Sequence, residues 1–121
     1  MTVEVRSGRA RLQRVVHMQE EDATAGDGVI VDVEGLQRGV FEVDMATVPA
    51  AGIIAFKGTV NGLVWQLLRA LDLSAASETW VTGLTNGSGL FQVDLTGLLK
   101  VKAEITTYTS GTITVWGHFW G

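Results

Sequence analysis

The chain has no cysteine among its 121 residues. That absence excludes a disulfide framework, a thiolate nucleophile and a cysteine-ligated zinc site together, and it leaves the redox compartment open. Proline occurs once, at Pro49, and histidine only twice, at His17 and His118. Charge is scarce as well: 18 % of residues are charged and the formal net charge is −4. A mildly acidic, charge-poor domain is badly equipped to grip a nucleic-acid backbone, so no nucleic-acid partner is expected. No apolar run approaches the ~18–20 residues of a membrane-spanning helix, so no membrane partner is expected. The first residues lack the basic-then-apolar form of a signal peptide.

Catalytic signatures are missing too. The sequence holds no G-x-S-x-G, no H-E-x-x-H, no P-loop and no G-x-G-x-x-G after a strand. His17 and His118 stand far apart in sequence without a flanking serine or carboxylate motif, so each reads as a strand residue with an ordinary imidazole. Asp32, Asp44, Asp94 and Glu104 alternate with apolar residues, as the wet face of a sheet does. The acidic stretch Glu20–Gly28 lacks the D-x-D-x-D-G spacing and distal glutamate of a calcium loop, and reads as a polar turn. The expectation is a chain with no catalytic residues, no cofactor and no metal.

What the sequence does have is alternation. Phe91, Val93 and Leu95 oppose Gln92 and Asp94; Val101, Ala103 and Ile105 oppose Lys100, Lys102, Glu104 and Thr106; Ile113 and Val115 oppose Thr112 and Thr114. A period of two marks strands with one buried face. Thr96-Gly97 and Ser110-Gly111 can supply the positive φ of tight turns, so Gly89–Gly117 reads as an antiparallel β-meander. Upstream, Val29, Val31 and Val33 alternate with Ile30, Asp32 and Glu34, and Phe41, Val43 and Met45 with Glu42 and Asp44. Gly52–Val60 reads as a strand, Asn61-Gly62 as a type I′ hairpin turn, Leu63–Leu71 as a further strand, and β character returns over Thr79–Leu84. The sum is an all-β, antiparallel, jelly-roll-like sandwich of about 8–10 strands, one domain over residues 1–121. Residues 29–71 are expected to supply the layer that covers the meander.

Two features point to binding. Arg6, Arg9, Arg11 and Arg14 concentrate four of the nine basic residues near the N-terminus. They suit either a solvated strand and turn or an arm, residues 1–14, docked on an acidic partner surface. Trp116, His118 and Trp120 share a parity opposite to Ile113, Val115 and Phe119, so they face outward if the latter face the core. Outward indoles serve inter-subunit packing or, with Trp80, a sugar-stacking platform. A small domain with 46 % hydrophobic residues and few charges is also expected to hide surface in a homo-oligomer or a docked partner.

Residues 56–117 resemble a small β-sandwich module of tailed-bacteriophage virion proteins. The resemblance is carried by Phe56-Lys57-Gly58-Thr59-Val60-Asn61-Gly62 with Trp65, by Gly89-Leu90-Phe91-Gln92-Val93-Asp94-Leu95-Thr96-Gly97-Leu98, and by Val101–Val115 with its Tyr108-Thr109-Ser110-Gly111-Thr112 turn. It implies a virion structural protein: a capsid decoration (cement) protein on the outer capsid surface, bound to the major capsid protein, with a trimer favoured. The alternative it implies is a glycan-binding adhesion module of a tail fibre or baseplate. Members of the module usually end in small polar residues. Here Trp116, His118, Phe119 and Trp120 stand instead, which marks the C-terminal strand as a contact surface.

Overall fold

A computed structural model of the chain describes residues 4–6, 9–11, 13–46 and 50–121, with side chains described over 14–46 and 50–121. The described strands are β1 (Glu4–Arg6), β2 (Arg9–Arg11), β3 (Gln13–Asp22), β4 (Val31–Asp32), β5 (Arg38–Asp44), β6 (Ala51–Thr59) and β7 (Gln66–Leu67). They continue with β8 (Ala70–Asp72), β9 (Trp80–Val81), β10 (Leu84–Thr85), β11 (Gly89–Asp94), β12 (Lys100–Ser110) and β13 (Ile113–Trp120). The expected all-β antiparallel sandwich is what forms. One sheet has the order β3-β13-β5-β11-β8-β9; the other has β10-β6-β12-β4, with β7 also paired to β6. β1 and β2 make a separate antiparallel pair.

The alternating residues face as their periodicity requires. Phe91, Val93, Leu95, Val101, Ala103, Ile105, Ile113, Val115 and Phe119 are all buried. The core closes between the sheets on Phe41 of β5 and Phe56 of β6, whose rings stack at 4.5 Å and 10°. Phe119 meets Phe41 edge-on at 5.5 Å, and Phe91 lies tilted against Phe56 at 5.3 Å. Each such ring stabilises the sandwich by about 1.5–3 kcal/mol through burial alone, with a further ~0.5–1.5 kcal/mol from ring geometry.

Four expectations are corrected. Gly89–Gly117 is not a meander: β11 and β13 flank β5 in the larger sheet, while β12 between them in sequence lies in the opposite layer. The Ser110-Gly111 turn, with Gly111 at φ 73° and the Tyr108 hydroxyl donating to the Gly111 carbonyl at 2.7 Å, carries the chain between layers. The two layers are therefore interleaved in sequence, and residues 29–71 do not form one of them alone. Second, Asn61-Gly62 is not a type I′ turn, because only Gly62 has positive φ. The Asn61 carboxamide oxygen accepts from the Leu63 and Val64 N–H groups, and the Thr59 hydroxyl from those of Asn61 and Gly62. Side chains thus capture the donors a two-residue hairpin would need, and β6 meets β7 through a longer loop, with Gly58 opposite Gln66. Third, Leu63–Leu71 is not one strand but β7 and the start of β8. Only Leu68 and Ala70 in that stretch pack on the core. Val29, expected to face inward with Val31 and Val33, is exposed, and β4 is limited to Val31–Asp32.

The polar stretch after β3 is tied down across both layers. Gln19, fully buried, donates from Nε2 to the carbonyls of Gly26 at 3.0 Å and Ala103 at 2.8 Å. Gly26 and Ile105 exchange two backbone hydrogen bonds. A buried amide satisfied this way locks β3 to β12 at little net cost.

Candidate functional site

Register turns the outer face of the larger sheet into a grid. Residues opposite one another on neighbouring strands share a face. One row runs Val15, His118, Val40, Gln92, Leu71 and Trp80 from β3 to β9. A second row runs His17, Trp116, Glu42 and Leu90, and a third Trp120, Arg38 and Asp94. Trp116, His118 and Trp120 therefore do point outward, on one face. His17, distant in sequence, joins them because β3 is the neighbour of β13. The C-terminal strand was a candidate on its parity; Trp80 and His17 belong to the same face for reasons of strand order, which alternation does not encode.

Each exposed ring on this face is braced. His17 stacks on Trp116 with centroids 3.9 Å apart and planes 7° from parallel. His118 and Trp120 lie 5.2 Å apart at 45°. The Arg69 guanidinium sits 4.0 Å over the Trp80 ring, whose Nε1–H donates to Glu78 at 3.1 Å. Trp116 and Trp80 still keep 40 % and 43 % of their surface exposed. The face is hollow. A groove of ≈ 720 Å³ is lined by Trp116, Trp120, His118, Val40, Leu90 and Glu42, among others. A second hollow of ≈ 440 Å³, lined by Arg38, Arg69, Trp80, Gln92 and Asp94, adjoins it where Val40 pairs with Gln92.

Electrostatics along the face are mixed. Arg38 and Arg69 stand near Asp94, and Glu42 projects from the middle of the groove. The Asp94 carboxyl is held below its ordinary value first by the Thr96 backbone N–H, at 2.9 Å from Oδ1, then by the Thr96 hydroxyl, with Arg38 adding a smaller lowering. Among the described residues no group of three or more His, Asp or Glu is placed to hold a metal ion.

A second surface lies at one end of the sandwich. The β6–β7 loop presents Leu63, Val60 and Val64 at 84 %, 70 % and 57 % exposure, on a backbone pinned by Thr59 and Asn61. Val60 also lines a cleft of ≈ 400 Å³ with Leu36, Gln37 and Leu98. The Gln37 N–H donates to the Trp120 carbonyl at 2.9 Å, and Trp120 stands opposite Gln13, the first residue of β3. β3 therefore begins at the end of the sandwich that carries the apolar loop. Of the arginines expected to form a docking arm, Arg14 is exposed within β3 and so belongs to the sandwich. The side chains of Arg6, Arg9 and Arg11 lie outside the described residues, although β1 and β2 carry them as a backbone pair.

Trp65, the remaining tryptophan, belongs to neither surface. It lies over the Lys102 ammonium at 4.5 Å on the outer side of the smaller sheet.

No protein-family profile matches the sequence, and no curated protein does. Two solved structures share its fold. The SPBc2 prophage-derived protein YomS superposes with a TM-score of 0.77 at 16 % identity, over 92 % of this chain and 95 % of that one. The PBSX exported protein XepA superposes with a TM-score of 0.79 at 21 % identity, over 97 % of this chain but only 42 % of that one. At these identities the likeness establishes a common fold.

Proposed function

We propose that this chain is a non-catalytic structural protein of a bacteriophage particle, a capsid decoration (cement) protein that binds the assembled shell. The observation that carries the reading is the nearly end-to-end match of its fold to a prophage-derived protein of the same extent, 92 % of one chain on 95 % of the other. The virion-module resemblance of residues 56–117 points the same way. The mechanism is mass action: a ligand that binds the shell lattice and not its dissociated subunits stabilises the lattice, by about 2.7 kcal/mol per site at a hundredfold excess over Kd.

We assign attachment to the loop end of the sandwich. Exposed aliphatic side chains on a pre-ordered loop cost hydration when free and recover it when covered. Because Thr59 and Asn61 already fix the loop, docking loses little backbone entropy. The partner is the major capsid protein, with the arginine-bearing N-terminal segment meeting acidic shell surface. Binding of several copies around a local symmetry axis makes a homo-oligomer, a trimer at three-fold positions, the natural functional unit.

The test is co-sedimentation with particles stripped of decoration. The wild-type chain is expected to bind and to raise the temperature at which particles disrupt. L63D and V64D, changes at solvent-exposed positions, should keep the fold and lose binding, and deletion of residues 1–12 should weaken it. Variants that bind as well as wild type, or particles whose disruption temperature does not move, would overturn the reading.

A further inference from the structure

We infer that the outer face of the larger sheet is a binding site for a neutral oligosaccharide. The inference goes beyond shell attachment and does not depend on it, since the attachment loop lies at the end of the sandwich and leaves this face open. Four observations carry it.

First, three of the four tryptophans converge here. Trp116 and Trp120 lie at one side of the face and Trp80 at the other, separated by four strand-to-strand intervals, or about 19 Å. That span fits an extended oligosaccharide rather than a single sugar.

Second, the indoles are oriented rather than buried. His17 flat against Trp116, His118 against Trp120, and Arg69 with Glu78 around Trp80 hold the rings, while Trp116 and Trp80 stay exposed and Trp120 half-buried. Rings held in place before binding lose little rotamer entropy when a ligand stacks on them. The apolar face of a pyranose, with its C–H groups pointing at a π-surface, is a ligand suited to an exposed indole.

Third, hydrogen-bonding groups are interleaved with the rings. Glu42 and Asp94 are acceptors, Arg38 and Arg69 are donors, and Gln92 and His118 can be either. A row of sugar hydroxyls, each both donor and acceptor, matches that mixture.

Fourth, the face carries no excess of cations: Arg38 and Arg69 stand against Glu42 and Asp94, with Glu78 at Trp80 and Glu20 at His17 besides. A polyanion such as nucleic acid or a sulfated glycan requires such an excess.

Affinity electrophoresis tests the inference, using native gels cast with laminarin, galactomannan, xyloglucan or dextran, extended by an array of neutral glycans. Retardation in at least one neutral polymer is expected. Titration calorimetry with that polymer should give a Kd at least tenfold weaker for W116A and W120A, each still unfolding cooperatively well above the assay temperature, while W65A on the opposite sheet stays at the wild-type value. If W116A or W120A fails to fold, W80A on the short edge strand decides by the same criterion. Absence of any neutral-glycan binding overturns the inference, as does binding confined to heparin or equal weakening by W65A. Loss of particle binding by W116A in a protein that retains no glycan would make the face a protein interface and would likewise overturn it.

Discussion

His17 lies flat on Trp116, with centroids 3.9 Å apart, while its own Nε2 is buried without a hydrogen-bond partner among the described residues. The stack and the orphaned nitrogen act in opposite directions. Ring contact stabilises by about 0.5–1.5 kcal/mol, whereas an unsatisfied buried polar atom costs about 1–3 kcal/mol. Replacing the imidazole by a phenyl ring keeps the first and removes the second. H17F is therefore expected to match or exceed wild-type stability in urea denaturation. H17A removes both, so it should be less stable than H17F and shift Trp emission to the red as Trp116 is released. A destabilised H17F would mean that the nitrogen has a partner.

Phe119 is seated between two glycines. A Cβ at Gly39 would stand 2.4 Å from Phe119 Cδ1, and one at Gly117 would stand 2.5 Å from Phe119 Cζ and 2.7 Å from Met18 Sδ. The ring thus covers strand positions that have no side chain of their own, an arrangement that pins register in sheets. G117A and G39A should each destabilise by about 1–3 kcal/mol through overpacking. F119L opens the space, so the double variant G39A/F119L should be more stable than the sum of its single changes predicts. Strict additivity in a double-mutant cycle would show that the glycines are there for another reason.

Within the long strands the alternation of side chains was enough to say which residues are buried, because period two is a local property of a strand; it failed at Val29, which precedes the two-residue β4. It was enough to turn Trp116 and Trp120 outward and Phe119 inward. It could not say which strands are neighbours. β12 leaves the sheet of β11 and β13 although all three share the same pattern, since partner choice depends on how two layers meet. The same limit hid His17, which reaches the aromatic face only through the order β3-β13-β5-β11-β8-β9, and it is this order that sets Trp80, named beside the C-terminal indoles on residue type, at the far side of that face. At Asn61-Gly62 the sequence pointed to a tight hairpin, and hydrogen bonds accepted from the loop's backbone N–H groups by the Thr59 and Asn61 side chains overrode it. Those bonds are what hold Leu63 and Val64 in solvent.

Asp94 gives a pH prediction. Its folded-state pKa is depressed, chiefly by the Thr96 N–H and hydroxyl. The unfolded chain therefore takes up this proton at higher pH than the folded one. The stabilising contribution is fully present above the ordinary value of 3.8 and is lost as pH falls through the lower folded value. An NMR titration should find the Asp94 carboxyl ionised below pH 3.8. In D94N the acid limb of the stability profile should be shallower than in wild type. Identical acid limbs would show that the turn at Thr96-Gly97 does not favour the charged carboxylate.

Lys102 is the most deeply buried charge among the described residues, 7 % exposed, and it stands directly opposite Lys57 across the β12–β6 pair. Like charges in that position repel. Glu104 resolves the conflict: its Oε1 lies 2.8 Å from Lys57 Nζ and 3.8 Å from Lys102 Nζ. Asp27 adds a contact to Lys102 at 3.1 Å from a half-exposed position, and Trp65 covers the ammonium. The two carboxylates are therefore unequal. E104Q leaves two lysines facing each other with one shared anion gone and should cost about 1–3 kcal/mol. D27N removes a partner that solvent already screens and should cost less than about 1 kcal/mol. K102M removes the buried charge and its repulsion together while keeping a long side chain under Trp65. It should leave stability within about 1 kcal/mol of wild type, and in the E104Q background it should recover much of the loss. Thermal or denaturant melts of the four variants measure this directly. An E104Q no less stable than D27N would show that the opposed lysines, and not their shared carboxylate, are already reconciled by solvent.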